Sequence, residues 1–405
     1  MVGHRGIPLN KNVFVELLVV AMDILMKLAK PDTPLWIRTL NGGKDLNREE
    51  YLRVFPPCFG IQQNEFVFEA SRHSGVVLIN SLALVDTLMD SVTWIEHWEY
   101  DEGVIQCLYR PLVRYGWGFG ARWWFANLQR QCKCLSILKS TVEIVEHPSG
   151  LGPDGRKSFV ALARRMMNNF SSRVCVSSLR KWDKLHVEGV SKDLRVLIRE
   201  SFNDPGEPTG IVLSAATSIW HPTTMQRLFD FLSNERMRSH WDVLLIDGQM
   251  QGITHIFKGH DADNCVSNIC YDVIHLVYQN GNPANDPIIL LQETRNDTSG
   301  SLVMYTPLDL HSVNMVMRGT DSSMVVVLLS GFAIHSDDHT GHGTTSNYNE
   351  ESNFNETARG CILTVGFQIL INNQPNNQIS VESVDTVNKL ITSTIQKINA
   401  AIQET

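Results

Sequence analysis

His335, Asp337, Asp338, His339 and His342 crowd into one short stretch, and these residue types are the ones that bind divalent metals. Their spacing fits no helix face, and Gly341 and Gly343 favour a solvated polar loop, so no metal site is expected there. Glu96 and His97 could form an acid/base couple, but neighbours on a strand point to opposite faces. Cys132 and Cys134 could hold a metal or exchange electrons. They fall in a helical pattern, where positions i and i+2 face apart, and they read as buried thiols. The chain has neither a Gly-x-Ser-x-Gly elbow nor a Gly-rich phosphate loop, so neither catalysis nor a cofactor is expected. Trp94, Trp98, Tyr109, Trp117, Phe119, Trp123 and Trp124 form an aromatic group dense enough to line a hydrophobic pocket, although a packed core would look the same. The candidate ligand contacts among them are Trp94, Trp98, Tyr109, Trp117 and Phe119.

Composition narrows the class. A chain of 405 residues, 43% hydrophobic and 19% charged, can bury one large core or two to three smaller ones. With 35 basic against 43 acidic residues the formal net charge is −8, which offers no strongly basic surface for nucleic acid. Eight scattered cysteines without a second Cys/His couple point to a reducing compartment. The first apolar stretch, Val13 to Ala29, is interrupted by Glu16, Asp23 and Lys27, and no later run reaches spanning length, so no membrane span is expected. The Asn-x-Ser/Thr matches at Asn169, Asn296 and Asn355 then carry no glycosylation meaning.

The elements that would position such residues follow from periodicity. Phe14, Leu17, Leu18, Ala21, Ile24, Leu25 and Leu28 recur at three and four, the stripe of an amphipathic helix ended by Pro31 and Pro34. Phe66 to Asn80 reads as a strand with Val76 to Ile79 buried, and Leu82 to Met89 reads as a helix. A strand from Val92 to Glu99 follows with no turn signal at Asp90–Ser91, an odd junction for a helix end. Further helices are predicted from Phe119 onward and around Phe159 to Phe170, with turn-rich breaks at His147 to Gly155 and Asn203 to Gly210. From Ile211 a strand, a helix (Thr223 to Ser233) and several strand-like runs follow, the apolar run Met324 to Leu329 among them. Ser336 to Thr357 reads as a mobile polar insertion. A last helix carries the stripe Val384, Val387, Ile391, Ile395, Ile398 and Ile402. Antiparallel strands closed by a long terminal helix predict an α+β helix-grip architecture, a curved sheet wrapped on that helix with room for a cavity between them.

Several strings carry a resemblance: Pro34-Leu-Trp36, Glu69-Ala-Ser-Arg72, Val92-Thr-Trp-Ile-Glu-His97, Tyr109-Arg-Pro-Leu-Val113, Arg130-Gln-Cys132, Asp204-Pro-Gly206, Phe229-Asp-Phe-Leu232, Trp241-Asp242, Asn264-Cys-Val-Ser267 and Ser330-Gly-Phe-Ala-Ile334. In this order, over nearly the whole chain, they resemble the plant class IV homeodomain–leucine zipper transcription factors in the part after the zipper. The resemblance implies a START lipid-binding domain over residues 12–138, a linker and helical segment over 139–210, and a START-associated helix-grip domain over 211–405. It thus implies two tandem START-like copies, the first incomplete, because a block of strands the family carries is missing at about 90/91. No homeodomain or heptad zipper is seen after Met1, so direct DNA contact by this chain is not expected. Trp124-Phe-Ala-Asn127 mimics a homeodomain recognition helix, but Leu128 stands where an Arg is required. The implied role is lipid- or sterol-dependent regulation in the nucleus, exerted through contacts with family transcription factors. A small-molecule enzyme on the same fold and a non-functional truncated product are the alternatives.

Overall fold

The computed structural model describes residues 11–30, 34–38, 44–54, 72–89, 121–139, 151–174, 183–185, 194–201, 204–244, 250–257, 265–271, 288–297, 299–337, 360–372 and 381–404. They form two compact units, one of residues 1–76 with 112–125, the other of 77–111 with 126–405.

In the first unit, helix α1 (Lys11–Ala29) precedes an antiparallel pair, β1 (Trp36–Arg38) and β2 (Lys44–Leu46), and helix α2 (Arg48–Val54). Of the predicted stripe on α1, Ile24 and Leu28 pack on buried Leu35 and Trp36. Trp36 Nε1 donates to the Leu28 carbonyl at 2.9 Å, whereas Leu18 and Leu25 are exposed. The strand expected over Phe66 to Asn80 is not formed in its described part. Residues 72–80 join no ladder among the described residues, and Val76 is 79% exposed. A run of β-branched residues becomes a strand only where a neighbour satisfies its backbone.

The second unit holds α3 (Ser81–Met89), the part of α4 (Ala121–Lys139) from Ala126 on, and α5 (Pro153–Val174). Asn80 caps α3 through the Ala83 amide at 2.8 Å. Pro153 opens α5, where a missing N–H costs nothing. The strands are β3 (Asp183–Leu185), β4 (Arg195–Ser201), β5 (Gly210–His221), β6 (Met250–Phe257), β7 (Cys265–Tyr271), β8 (Ile288–Asp297), β9 (Gly300–Leu308), β10 (Ser330–Ser336) and β11 (Cys361–Asn372). The remaining helices are α6 (Met225–Ser233), α7 (Leu310–Met317) and the terminal α8 (Val381–Glu404). All nine strands form one antiparallel sheet in the order β3-β4-β5-β11-β10-β9-β8-β7-β6. The α+β class and the grip of the sheet on the terminal helix are as predicted.

Strand alternation divides the side chains between two faces. Val303 and Tyr305 of β9, Phe332 and Ile334 of β10 and Leu363, Val365 and Phe367 of β11 meet α6 and the stripe Val384, Val387, Ile391, Ile398 and Ile402 of α8. Leu302 and Met304 of β9 and Ala333 of β10 turn to the other face, covered by Phe159, Leu162, Met166 and Phe170 of α5 and by Val313 and Val316 of α7. β5 and β11 are buried along most of their length. Between them Ser218 Oγ and Thr364 Oγ1, directly opposed in the ladder, lie 3.0 Å apart in a buried hydrogen bond.

The run Met324 to Leu329 is not the expected strand: Met324 ends a 3-10 turn (Ser322–Met324), residues 325–329 join no ladder among the described residues, and the strand starts only at Ser330. Val325, Val327 and Leu329 are buried while Met324 and Val326 are exposed. Its amides go elsewhere: Val327 N to the Gly206 carbonyl at 3.2 Å, Leu328 N to Thr306 Oγ1 at 3.2 Å, and Leu329 N to Gln368 Oε1 at 3.0 Å. A segment whose amides are taken by side chains and a loop carbonyl cannot enter a ladder. Gly206 has φ 72°, and a Cβ there would collide with Arg165 and the Ser323 carbonyl. Gly206→Ala is therefore expected to destabilise the protein by about 2 kcal/mol, measured by urea unfolding. An unchanged midpoint would show that the turn relaxes freely.

Candidate functional site

Trp94, Trp98, Tyr109, Trp117 and Phe119, the predicted ligand contacts, lie outside the described residues, as do Glu96, His97 and the 90/91 junction. Trp123 and Trp124 are half-buried on α4. Of the imidazole and carboxylate cluster, His335 lies on β10 and Asp337 follows it, accepting from Trp220 Nε1 at 2.8 Å. Asp338, His339 and His342 are outside the described residues, among which no group of three or more His, Cys, Asp or Glu side chains could hold a metal.

Inside the grip, the structure places a charged network that residue spacing did not reveal. Arg238, on the 3-10 turn Glu235–His240 after α6, is 1% exposed. Its Nε donates to Asp242 Oδ2 and its Nη1 to Gln292 Oε1, both at 2.8 Å. Gln292 in turn donates to the Ser233 carbonyl at 2.9 Å. The guanidinium carbon sits 3.9 Å from the Tyr305 ring centroid and 4.7 Å from that of Trp241. Trp241 packs edge-on against Phe332, so aromatic and charged groups fill this part of the interior together. Deep burial pushes the Tyr305 hydroxyl far above its usual value, and the nearby Asp242 carboxylate adds to the effect.

A second charged group lies on the opposite face, where α4 and α5 cover β8. Glu293, Arg295 and Asp297 follow one another at every second residue of β8, on the face of Leu291. Arg130 Nη1 donates to Asp297 Oδ2 at 2.6 Å and to Ser299 Oγ at 2.9 Å. Arg295 Nε approaches the same Asp297 oxygen at 3.5 Å, and its Nη1 reaches Met167 Sδ at 3.4 Å. Burial and the neighbouring Arg130 charge lower the Arg295 guanidinium to about 9. Burial alone would raise the Asp297 carboxyl, but Arg295, Arg130 and the bonds from Ser299 hold it below its usual value. Arg130, Lys133 and Cys134 of α4, Val160, Arg164 and Met167 of α5, and Glu293 and Arg295 of β8 together line a shallow, open cleft. The signal that could have found it is the alternating charge within a strand that is otherwise apolar.

The profile of the "PDF2-like, C-terminal domain" matches residues 152–404, well over half of the chain. The chain belongs to this family. A START-domain profile matches residues 91–134. Those relatives include the Arabidopsis thaliana homeobox-leucine zipper proteins HDG1, 39% identical across 96% of this chain and 60% of its own length, and ANTHOCYANINLESS 2, 39% identical across 97% and 60%. A third, HDG7 of the same plant, is 45% identical across 77% of this chain and 43% of its own length. The chain thus spans about 60% of the length of the first two. The HDG1 alignment runs over 494 residues, more than the 405 of this chain, so HDG1 holds residues within the matched span that this chain lacks. Among solved structures, human STARD10 resembles the chain with a TM-score of 0.31 at 12% identity, covering 66% of this chain and 83% of that one. Among the described residues no helix is long and apolar enough to cross a membrane.

Seen against this PDF2-like C-terminal domain, the second charged group lies on a seam. Arg130, Lys133 and Cys134 belong to the START match, and the cleft residues from Val160 to Arg295 belong to the PDF2-like domain. His335 sits beside it, its imidazole lowered to about 4 from an ordinary 6.5 by burial and then by the Arg295 charge. A depressed histidine stabilises the folded state while it stays neutral, and that contribution disappears as pH falls from about 6.5 through about 4. His335→Gln is accordingly expected to flatten the loss of stability across this window. Urea unfolding of both proteins at stepped pH would measure it; parallel curves would remove His335 from the account.

Proposed function

We propose that this chain is the lipid- or sterol-sensing regulatory region of a homeodomain–leucine zipper transcription regulator. It acts in the nucleus, through contacts with family proteins rather than by binding DNA itself. The observation that carries this reading is the order of the two matches, START over 91–134 and then the PDF2-like domain over 152–404, within relatives that are homeobox-leucine zipper proteins. The START-derived stretch of residues 12–138 senses the ligand, with Trp94, Trp98, Tyr109, Trp117 and Phe119 as its apolar contacts. Two features support transmission of that signal onward: α4 ends the START match, and its Arg130 is ion-paired to Asp297 in the associated sheet. Order in α4 thereby becomes order in β8.

The test is extraction of lipids from the whole purified chain after incubation with a mixture of sterols and phosphatidylcholine, followed by mass spectrometry. Retention of a lipid that is reduced several-fold by Trp98→Ala with Tyr109→Ala supports the reading. No retained lipid, together with no co-purification of a homeobox-leucine zipper partner, overturns it.

A further inference from the structure

Arg130, Lys133, Arg164 and Arg295 converge on the cleft between α4, α5 and β8, where, among the described residues, Glu293 and the adjoining Asp297 oppose them. The excess is local and runs against the chain, whose net charge is −8. We propose that this cleft binds the phosphate group of an anionic ligand, and that the bound phosphate fastens the START-derived helix α4 to the PDF2-like sheet.

Three observations carry it. First, one carboxylate serves two guanidiniums, because Asp297 Oδ2 is 2.6 Å from Arg130 Nη1 and 3.5 Å from Arg295 Nε. At 3.5 Å this Arg295 Nε contact is an ion pair only, and the buried Nε completes no hydrogen bond among the described residues. Second, Lys133 and Arg164 are half-buried in the lining rather than extended into solvent, and no ion pair to either occurs among the described residues. Long cations on a free surface usually reach water; held along a concave wall, they concentrate positive potential within it. Third, the chemistry selects phosphate over carboxylate. A phosphate monoester carries about −1.5 to −2 charge and three acceptor oxygens. It can therefore meet guanidinium forks and an ammonium arriving from two helices and a strand, where a planar carboxylate meets one fork.

Both a phosphatidic acid headgroup and free inorganic phosphate present this group. The whole chain is titrated with inorganic phosphate at constant ionic strength while its thermal midpoint is followed. In parallel it is sedimented with vesicles of phosphatidylcholine alone and of one part phosphatidic acid to four parts phosphatidylcholine. A phosphate-dependent rise in midpoint, or capture by the phosphatidic acid vesicles alone, is expected. The first outcome identifies free phosphate as sufficient, and the second a lipid headgroup. Lys133→Gln with Arg164→Gln should weaken either response about tenfold or more, equivalent to ~1.4 kcal/mol, and Arg164→Lys should keep part of it. Neither variant removes an ion pair found among the described residues, so the midpoint without phosphate should stay near that of the parent. A wild-type protein that ignores both probes, or a double variant that responds as the wild type does, overturns the proposal. Uptake of sterol or phosphatidylcholine by the aromatic stretch is read separately in the lipid extraction, so the two ideas can fail independently.

Discussion

Replacing Arg238 with methionine should destabilise the PDF2-like domain by about 3–5 kcal/mol, because it leaves the Asp242 carboxylate buried without its cation. For a domain of this size that lowers the thermal midpoint on the order of 10 °C. Lost packing adds little, since methionine fills much of the arginine volume against Tyr305 and Trp241. The charge origin is separable. Arg238→Met with Asp242→Leu removes both ions, and it should recover much of the loss even though Leu244 N gives up its 3.0 Å bond to Asp242 Oδ1. A double variant as unstable as the two single losses combined would mean that the network acts by shape and not by charge.

Asp297→Asn should cost a similar ~3–5 kcal/mol by a different route. Asparagine keeps an acceptor for the Ser299 amide, now 2.8 Å from Asp297 Oδ1, so the turn between β8 and β9 keeps its bond. What disappears is the one charge shared by Arg130 and Arg295, which then repel across a poorly hydrated gap. Hydrogen exchange should accelerate over residues 126–139 more than in α8, and adding Arg130→Gln should relieve part of the loss. Equal protection of α4 in the variant and the parent would show that the ion pair does not hold the helix.

Helices α5 and α8 were legible because their burial obeys a single period. The stripes of Phe159, Leu162, Met166 and Phe170 and of Val384, Val387, Ile391 and Ile398 are buried as their spacing predicts. Runs of β-branched residues were read less well. Val76 to Ile79 and Met324 to Leu329 look alike in sequence to any strand of the sheet, but strand formation depends on a partner that sequence does not name. The charged groups were hidden for the same reason. Arg130 and Asp297 stand 167 residues apart and Arg238 and Gln292 54 apart, and no local spacing announces such pairs. Trp94, Trp98, Tyr109, Trp117 and Phe119 remain a proposal carried by residue type and family likeness.

Because β5 and β11 are buried along most of their length on both faces, the usual signal for aligning two strands, oily on one side and wet on the other, is largely erased there. The Ser218–Thr364 bond can serve as the notch that replaces it. Sliding β11 by two residues would set Ser218 against Ile362 or Gly366 and break its bond to Thr364 in a dry layer. Two small polar atoms thus choose one alignment among several that greasy contacts alone would tolerate.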